Sequence, residues 1–179
     1  HCRLRRQRQM CIRDRLSTYQ DLASNKWKGR LCLRTSKKVY TKSLVASLIH
    51  HDGQKATKDV IKGWVDNLAA TPNAEDTHVM SAILAGQCDV GIVNTYYFGR
   101  LQAEKPNVAL KLFWANQGST GTHVNISGAG VTKYSSNKEG SIKLLEFLSS
   151  IEAQKIYVKL NKEYPASQKL KADKLIAQW

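Results

Sequence analysis

Two phenols stand side by side, Tyr96 and Tyr97, in the stretch GQCDVGIVNTYYFGRL, and a third, Tyr40, follows a strand-like segment nearer the front of the chain. Neighbouring residues point to opposite faces of a strand and lie about 100° apart around a helix, so adjacent tyrosines do not ordinarily share a task. A turn from strand to helix is an exception, because the backbone changes direction and adjacent side chains can converge on one point. A phenol ionises only near a pH of about 10, so tyrosines gathered at a polar turn gain chemical meaning when something strips their protons. A hard trivalent cation does this, being the largest local charge. Oxygen donors suit Fe(III), three phenolates balance its charge, and helix N-terminal amides favour anionic oxygens. The plainer alternative is that the rings pack and the hydroxyls find water or a carbonyl.

The elements that must position these phenols are legible as alternating periods. The segment LSTYQDLASNKWKG starts with Ser17 three residues ahead of Gln20, a capping-box spacing, and Gly29 supplies a stop, which predicts a short helix. RLCLRT (30–35) alternates as a strand, and the loop TSKKV and Tyr40 precede a helix beginning near Thr41 and ending before Gly53. Val60, Ile61, Trp64, Val65 and Leu68 form one helical stripe, and EDTHVMSAILAG forms another that ends at Gly86. CDVGIVN (88–94) suits a buried parallel strand, after which YYFGRLQAEKP reads as a helix ended by Pro106. A strand-like run, VALKLFWAN, leads through QGSTGTH to VNISGAGVTKY and then to two helices, NKEGSIKLLEFLSS and IEAQKIYVKLN. The alternation predicts an α/β fold with a largely parallel sheet. In such sheets ligands bind beyond the carboxyl ends of the strands, where Tyr40, Tyr96 and Tyr97 all fall.

Composition narrows the partners. The chain has 179 residues, 42% of them hydrophobic, and a formal charge of +14, which ordinarily raises nucleic acid or an anionic membrane. Six of the nine arginines, however, lie in HCRLRRQRQMCIRDR, the first fifteen residues, which contain no lysine. That segment has neither a signal-peptide core nor a regular period, and we read 1–15 as a non-native or artefactual basic segment; a basic RNA-binding arm is the alternative. Beyond it the charge is spread as single lysines, the pattern of a solvated face, so no nucleic-acid partner is expected.

Arg34 and Ser36, between the first strand and Tyr40, could hold an anion or balance a phenolate, or belong to an exposed basic loop. Arg100, one turn after the tyrosine pair, faces either the phenols or solvent. Asn94 could pin the turn through its amide. His50 and His51 read as partners of solvent or of the helix C-terminus. Cys32 and Cys88 could form a disulfide or remain buried thiols, and no zinc spacing or Ser/His/Asp or Cys/His/Asn arrangement is legible. Nothing supports an enzyme.

Three motifs, LSTYQDLASNKWKGRLCLRTSKKVYTKSLVASLI, AGQCDVGIVNTYYFGRL and VNISGAGVTKYSSNKEGSIKLLEFLSSIEAQKIY, resemble the later part of the bacterial periplasmic ferric-iron-binding proteins, the substrate-binding components of iron ABC transporters. The resemblance runs from residue 17 to about 165 and implies a type II periplasmic solute-binding fold. It implies that Tyr40, Tyr96 and Tyr97 are iron ligands, their 56-residue separation from Tyr40 to Tyr96 fitting the family. Arg34 and Ser36 become candidates for a synergistic anion such as carbonate. A periplasmic location, an inner-membrane ABC permease as partner and no stable oligomer follow from the same likeness. Family members are two-lobed, so the resemblance also implies truncation at the front. On that basis 16–112 make most of the second lobe, 113–165 the return segment of the first, and 166–179 a C-terminal helical tail. The closest rival is the same fold binding another solute, a polyamine, thiamine or an organic anion.

Overall fold

The computed structural model describes residues 16–179, and the basic segment 1–15 lies outside the described residues. The described residues divide into two compact units, one of residues 16–92 with 113–125 and the other of 93–112 with 126–179. The chain passes from one unit to the other three times, after residues 92, 112 and 125.

In the first unit the chain opens with two 3₁₀ turns, Gln20–Ala23 and Asn25–Trp27, where the capping-box spacing predicts one short helix. The reason is local: the Asp21 carboxylate, not Ser17, gathers the chain start, accepting from the Ser17 and Thr18 backbone N–H groups at 2.7 and 2.9 Å. Strand β1 (Leu31–Cys32) pairs in parallel with β2 (Val90–Gly91), Leu31 opposite Val90 and Cys32 opposite Gly91. On its other side β1 and its continuation meet residues 68–73 through parallel bridges at Leu68 and Asn73. The expected parallel arrangement is therefore present, in shorter strands than the apolar runs suggest.

Helices α1 (Val39–Asp52), α2 (Gln54–Asp66) and α3 (Asp76–Leu84) supply the flanking layer. Gly53 separates the first two and Gly86 ends the third, both at positive φ (83° and 74°), where a residue with a side chain is strained. The core joins Leu22, Trp27, Leu31, Leu44, Leu48 and Trp64, all buried. Val65, counted in the helical stripe from its spacing, is instead exposed. Asn67 closes the core's polar edge, its buried amide donating to the Leu22 and Ser24 carbonyls, each at 2.8 Å. Cys32 and Cys88 form a disulfide with Cα atoms 5.9 Å apart, inside the usual range of about 4.4–6.8 Å.

The second unit carries α4 (Thr95–Glu104), α5 (Lys138–Ser149) and α6 (Ile151–Ile156), the last continuing into a π-helical turn, Tyr157–Asn161. Side-chain caps fix two of these starts: Asn137 accepts from the Gly140 N–H at 2.9 Å and Ser150 from the Ala153 N–H at 3.2 Å. The run 108–116 forms no strand, contrary to its pattern. Its end is instead a turn at Asn116, where φ is 60° and the backbone N–H donates to the Ser17 carbonyl at 2.9 Å. Residues 166–179, expected as a helical tail, contain a single 3₁₀ turn, Ile176–Gln178. No helix among the described residues is long and apolar enough to cross a membrane.

Candidate functional site

Tyr40 belongs to the first unit. Helix α1 starts at Val39, so Tyr40 lies within its first turn rather than ahead of it, half-buried. The strand end is anchored beside it: the Thr35 N–H donates to the Asn73 carbonyl and the Asn73 N–H to the Leu33 carbonyl, both at 2.8 Å. This places the Arg34 guanidinium 5.2 Å from the centre of the Tyr40 ring, over its face. Arg34 is also ion-paired with Asp76 at the start of α3, and the two side chains are only 8% and 2% exposed. Its charge is thus already balanced by a carboxylate 42 residues away. The Arg34 Nε is buried with no hydrogen-bond partner. Ser36 is exposed in the turn that follows.

Tyr96 and Tyr97 belong to the second unit, in the first turn of α4, directly after the β2 strand and the extended Asn94 N-cap. The turn is closed by the Tyr97 N–H donating to the Asn94 carbonyl at 3.2 Å, and the Asn94 side chain does not cap the helix. The two rings approach to 4.4 Å between centroids with a 33° interplanar angle, so the adjacent phenols do converge. Arg100 covers both, its guanidinium carbon 5.3 Å from the Tyr96 ring centre and 4.7 Å from that of Tyr97. Of the two readings of Arg100, the phenol-facing one is therefore realised. A cation over an aromatic face contributes about 0.5–2 kcal/mol depending on desolvation.

Among the described residues no group of three or more His, Cys, Asp or Glu side chains is placed to hold a metal. Two other tyrosines are perturbed by their surroundings: burial pushes the Tyr19 phenol above its usual range, opposed by the His123 backbone N–H that donates to it at 3.3 Å, and partial burial likewise raises Tyr164, while Tyr134 is exposed. His50 and His51 sit exposed in the last turn of α1, their rings edge to face at 5.0 Å. A cavity of about 210 Å³ in the first unit, lined by Tyr19, Leu48, His51 and His123 among others, includes none of Tyr40, Arg34 or Ser36.

The residue missed by sequence reasoning is Asp76. An acidic residue in the first turn of a helix reads as a complement to the helix dipole, and that signal alone does not name Arg34 as its partner.

Comparison with known proteins extends the description. Iron uptake protein A1 of Synechocystis sp. is 42% identical over 174 residues, which are 93% of this chain and 48% of that protein. The major ferric iron-binding protein of Neisseria meningitidis serogroup B is 28% identical over 88% of this chain. Among solved structures, the Trichodesmium protein IdiA (FutA) in complex with iron and citrate matches with a TM-score of 0.82 at 44% identity, over 91% of this chain and 54% of that one. The ferric binding protein from Campylobacter jejuni matches with a TM-score of 0.90 at 33% identity, over 96% and 56%. The chain spans about half the length of these relatives, and its fold is the corresponding part of the expected periplasmic solute-binding α/β fold. The family model of the bacterial extracellular solute-binding proteins matches residues 13–179, and the chain belongs to that family.

Proposed function

We propose that this chain supplies Tyr40, Tyr96 and Tyr97 as phenolate ligands to Fe(III), carried as cargo by a periplasmic binding protein to an inner-membrane ABC permease. The observation that carries the reading is the Tyr96–Tyr97 pair, 4.4 Å apart at the start of α4 with the Arg100 cation over both rings. Packing alone does not call for two adjacent phenols and a guanidinium on one helical turn. Phenolate oxygens, the positive end of the helix dipole and a neighbouring guanidinium together favour negative charge where a hard cation would be bound. That relatives are named for ferric iron supports the choice of metal. The Arg34 Nε, buried without a partner, supports a role for Arg34 and Ser36 in holding carbonate or another synergistic anion beside Tyr40. Protonation of the phenolates or reduction to Fe(II) would loosen the ion. The reading includes no enzymatic step and no stable oligomer.

The test is a visible absorption titration of the full-length gene product with ferric citrate, with and without bicarbonate. A saturable tyrosinate-to-iron charge-transfer band at one iron per protein is expected, abolished in Tyr96→Phe/Tyr97→Phe and weakened in Tyr40→Phe. A wild-type protein that takes up no iron, or a double variant that keeps the band, would refute the assignment.

A further inference from the structure

The ten-residue helix that carries the tyrosine pair has a second, buried face. At about 100° per residue, Tyr96, Arg100 and Tyr97 share one side of α4, while Phe98, Gln102 and Gly99 fall on the other. That other side is covered by the chain's C-terminal segment. The Trp179 ring lies 5.5 Å from the Phe98 ring, and its Nε1–H donates to Gln102 Oε1 at 3.3 Å. Gly99 is buried beneath this segment and leaves little room: a Cβ there would sit 3.0 Å from both Lys162 Cβ and Trp179 Cη2, so those side chains would have to give way. The segment is itself tied down, Ile176 being 1% exposed and Lys162 Nζ donating to Asp173 Oδ2 at 2.9 Å.

We infer that residues 162–179, through Trp179 and the contact at Gly99, form a clamp that sets the pose of the Tyr96–Tyr97 pair by gripping the opposite face of its helix. Trp179 is then a positioning residue for metal capture, and this role rests on the iron-binding reading above. The physical case is that a short helix is marginal without tertiary packing, so its orientation is set by what its buried face meets. Two rings that must place their oxygens on one ion tolerate little rotation of that helix. Loss of residues that orient metal ligands costs about 10- to 100-fold in affinity.

The experiment compares wild type, Trp179→Ala, Trp179→Phe, Gly99→Ala and Asn137→Ala in the full-length gene product, by hydrogen exchange of the iron-free protein and by ferric citrate titration. Asn137→Ala removes the cap of α5 and serves as a destabilised control away from α4. Trp179→Ala and Gly99→Ala are expected to speed exchange across 95–104 and lower iron affinity about 10- to 100-fold with a shifted charge-transfer band. Trp179→Phe should restore most of both, and Asn137→Ala should speed exchange only across 138–149. Unchanged exchange across 95–104 in Trp179→Ala overturns the clamp whatever the iron result. Faster exchange with wild-type affinity overturns it too. If wild type itself binds no iron, the metal reading falls and the exchange data alone decide whether Trp179 fixes this helix.

Discussion

Removing either partner of the Arg34–Asp76 pair should destabilise the first unit, and unequally. Both side chains are almost fully buried, so a single deletion leaves an uncompensated charge, a loss of about 3–5 kcal/mol for typical buried pairs. The two charges differ in what remains to them. Asp76 lies in the first turn of α3, where the helix dipole stabilises an anion by about 0.3–1 kcal/mol and up to about 2 when partly buried. Arg34 without Asp76 retains only the face of Tyr40, and its Nε already lacks a partner. Arg34→Met should therefore cost about 2–3 kcal/mol and Asp76→Leu about 3–5 kcal/mol. For a chain of this length each kcal/mol moves the melting midpoint by about 2–4 °C, so Asp76→Leu should lower it by about 6–20 °C. The Arg34→Met/Asp76→Leu double variant should be no less stable than Asp76→Leu alone, because no buried charge is left unpaired. Thermal unfolding followed by circular dichroism, arranged as a double-mutant cycle, reads this coupling directly. Additive losses, or a larger loss in Arg34→Met than in Asp76→Leu, would refute the reasoning.

Reducing the Cys32–Cys88 disulfide, which closes a loop of 56 residues, should cost about 4 kcal/mol by the loop-entropy relation, within the usual 2–4 kcal/mol or slightly above; denaturant unfolding with and without dithiothreitol measures it, and coincident curves would contradict the pairing. Asp173 has its carboxyl held below the usual range, first by its hydrogen bond from Lys162 and next by the Leu175 N–H. A depressed folded value means a stabilising contribution present at neutral pH and lost as pH falls below about 4, through the folded value. Because both side chains remain partly exposed, 16% and 21%, the contribution is discounted to less than about 1 kcal/mol. Asp173→Asn should flatten the acid limb of the stability profile by that amount and leave the slope above pH 5 untouched, and an unchanged acid limb would count against the pair.

How much could be read from the chain beforehand follows from how local each cause is. Helices α2 and α3 are legible because their apolar positions recur with a helical period and Gly86 marks an end, whereas α1 has hardly any such period and is legible mainly from the Gly53 stop. The β1 and β2 strands are legible, one as the alternation in RLCLRT and the other as the valine- and isoleucine-rich run CDVGIVN, but not their length, which depends on what lies alongside. VALKLFWAN carries a strand-like pattern and forms no strand, since a pattern does not supply a ladder partner; its end is held instead by Asn116, whose Oδ1 accepts from the Tyr19 N–H across 97 residues. The tail 166–179 is expected to be helical, yet Asp173 Oδ1 accepts from the Leu175 N–H two residues on, a local bond that competes with helix formation. In the candidate site the phenols are legible from residue type, because adjacent tyrosines at a strand-to-helix turn are chemically unusual. Asp76 and Trp179 are not, since each matters through a contact that no short window of sequence contains.

The puzzle of two neighbouring tyrosines resolves in helical geometry. Residues 96 and 97 are about 100° apart around α4, too far for rings on straight radial paths to meet, yet their centroids lie 4.4 Å apart. Arg100 is four residues after Tyr96 and three after Tyr97, which puts it about 40° from one and 60° from the other, between them and one turn further along. From there a planar guanidinium can cover both rings at 5.3 and 4.7 Å, drawing them inward to a common cation. The spacing Tyr-Tyr-x-x-Arg thus converts divergence by one residue into convergence by one turn. It also commits three positions of a ten-residue helix to one face, leaving the opposite face, with the buried Phe98 and Gly99, to provide the packing. A helix this short with so much of its surface given to polar aromatics has little cohesion of its own, and the C-terminal segment meets that need by closing tightly on the face that holds Gly99. A cation-covered aromatic face on one side of α4 and packing on the other are therefore consequences of the same five-residue spacing.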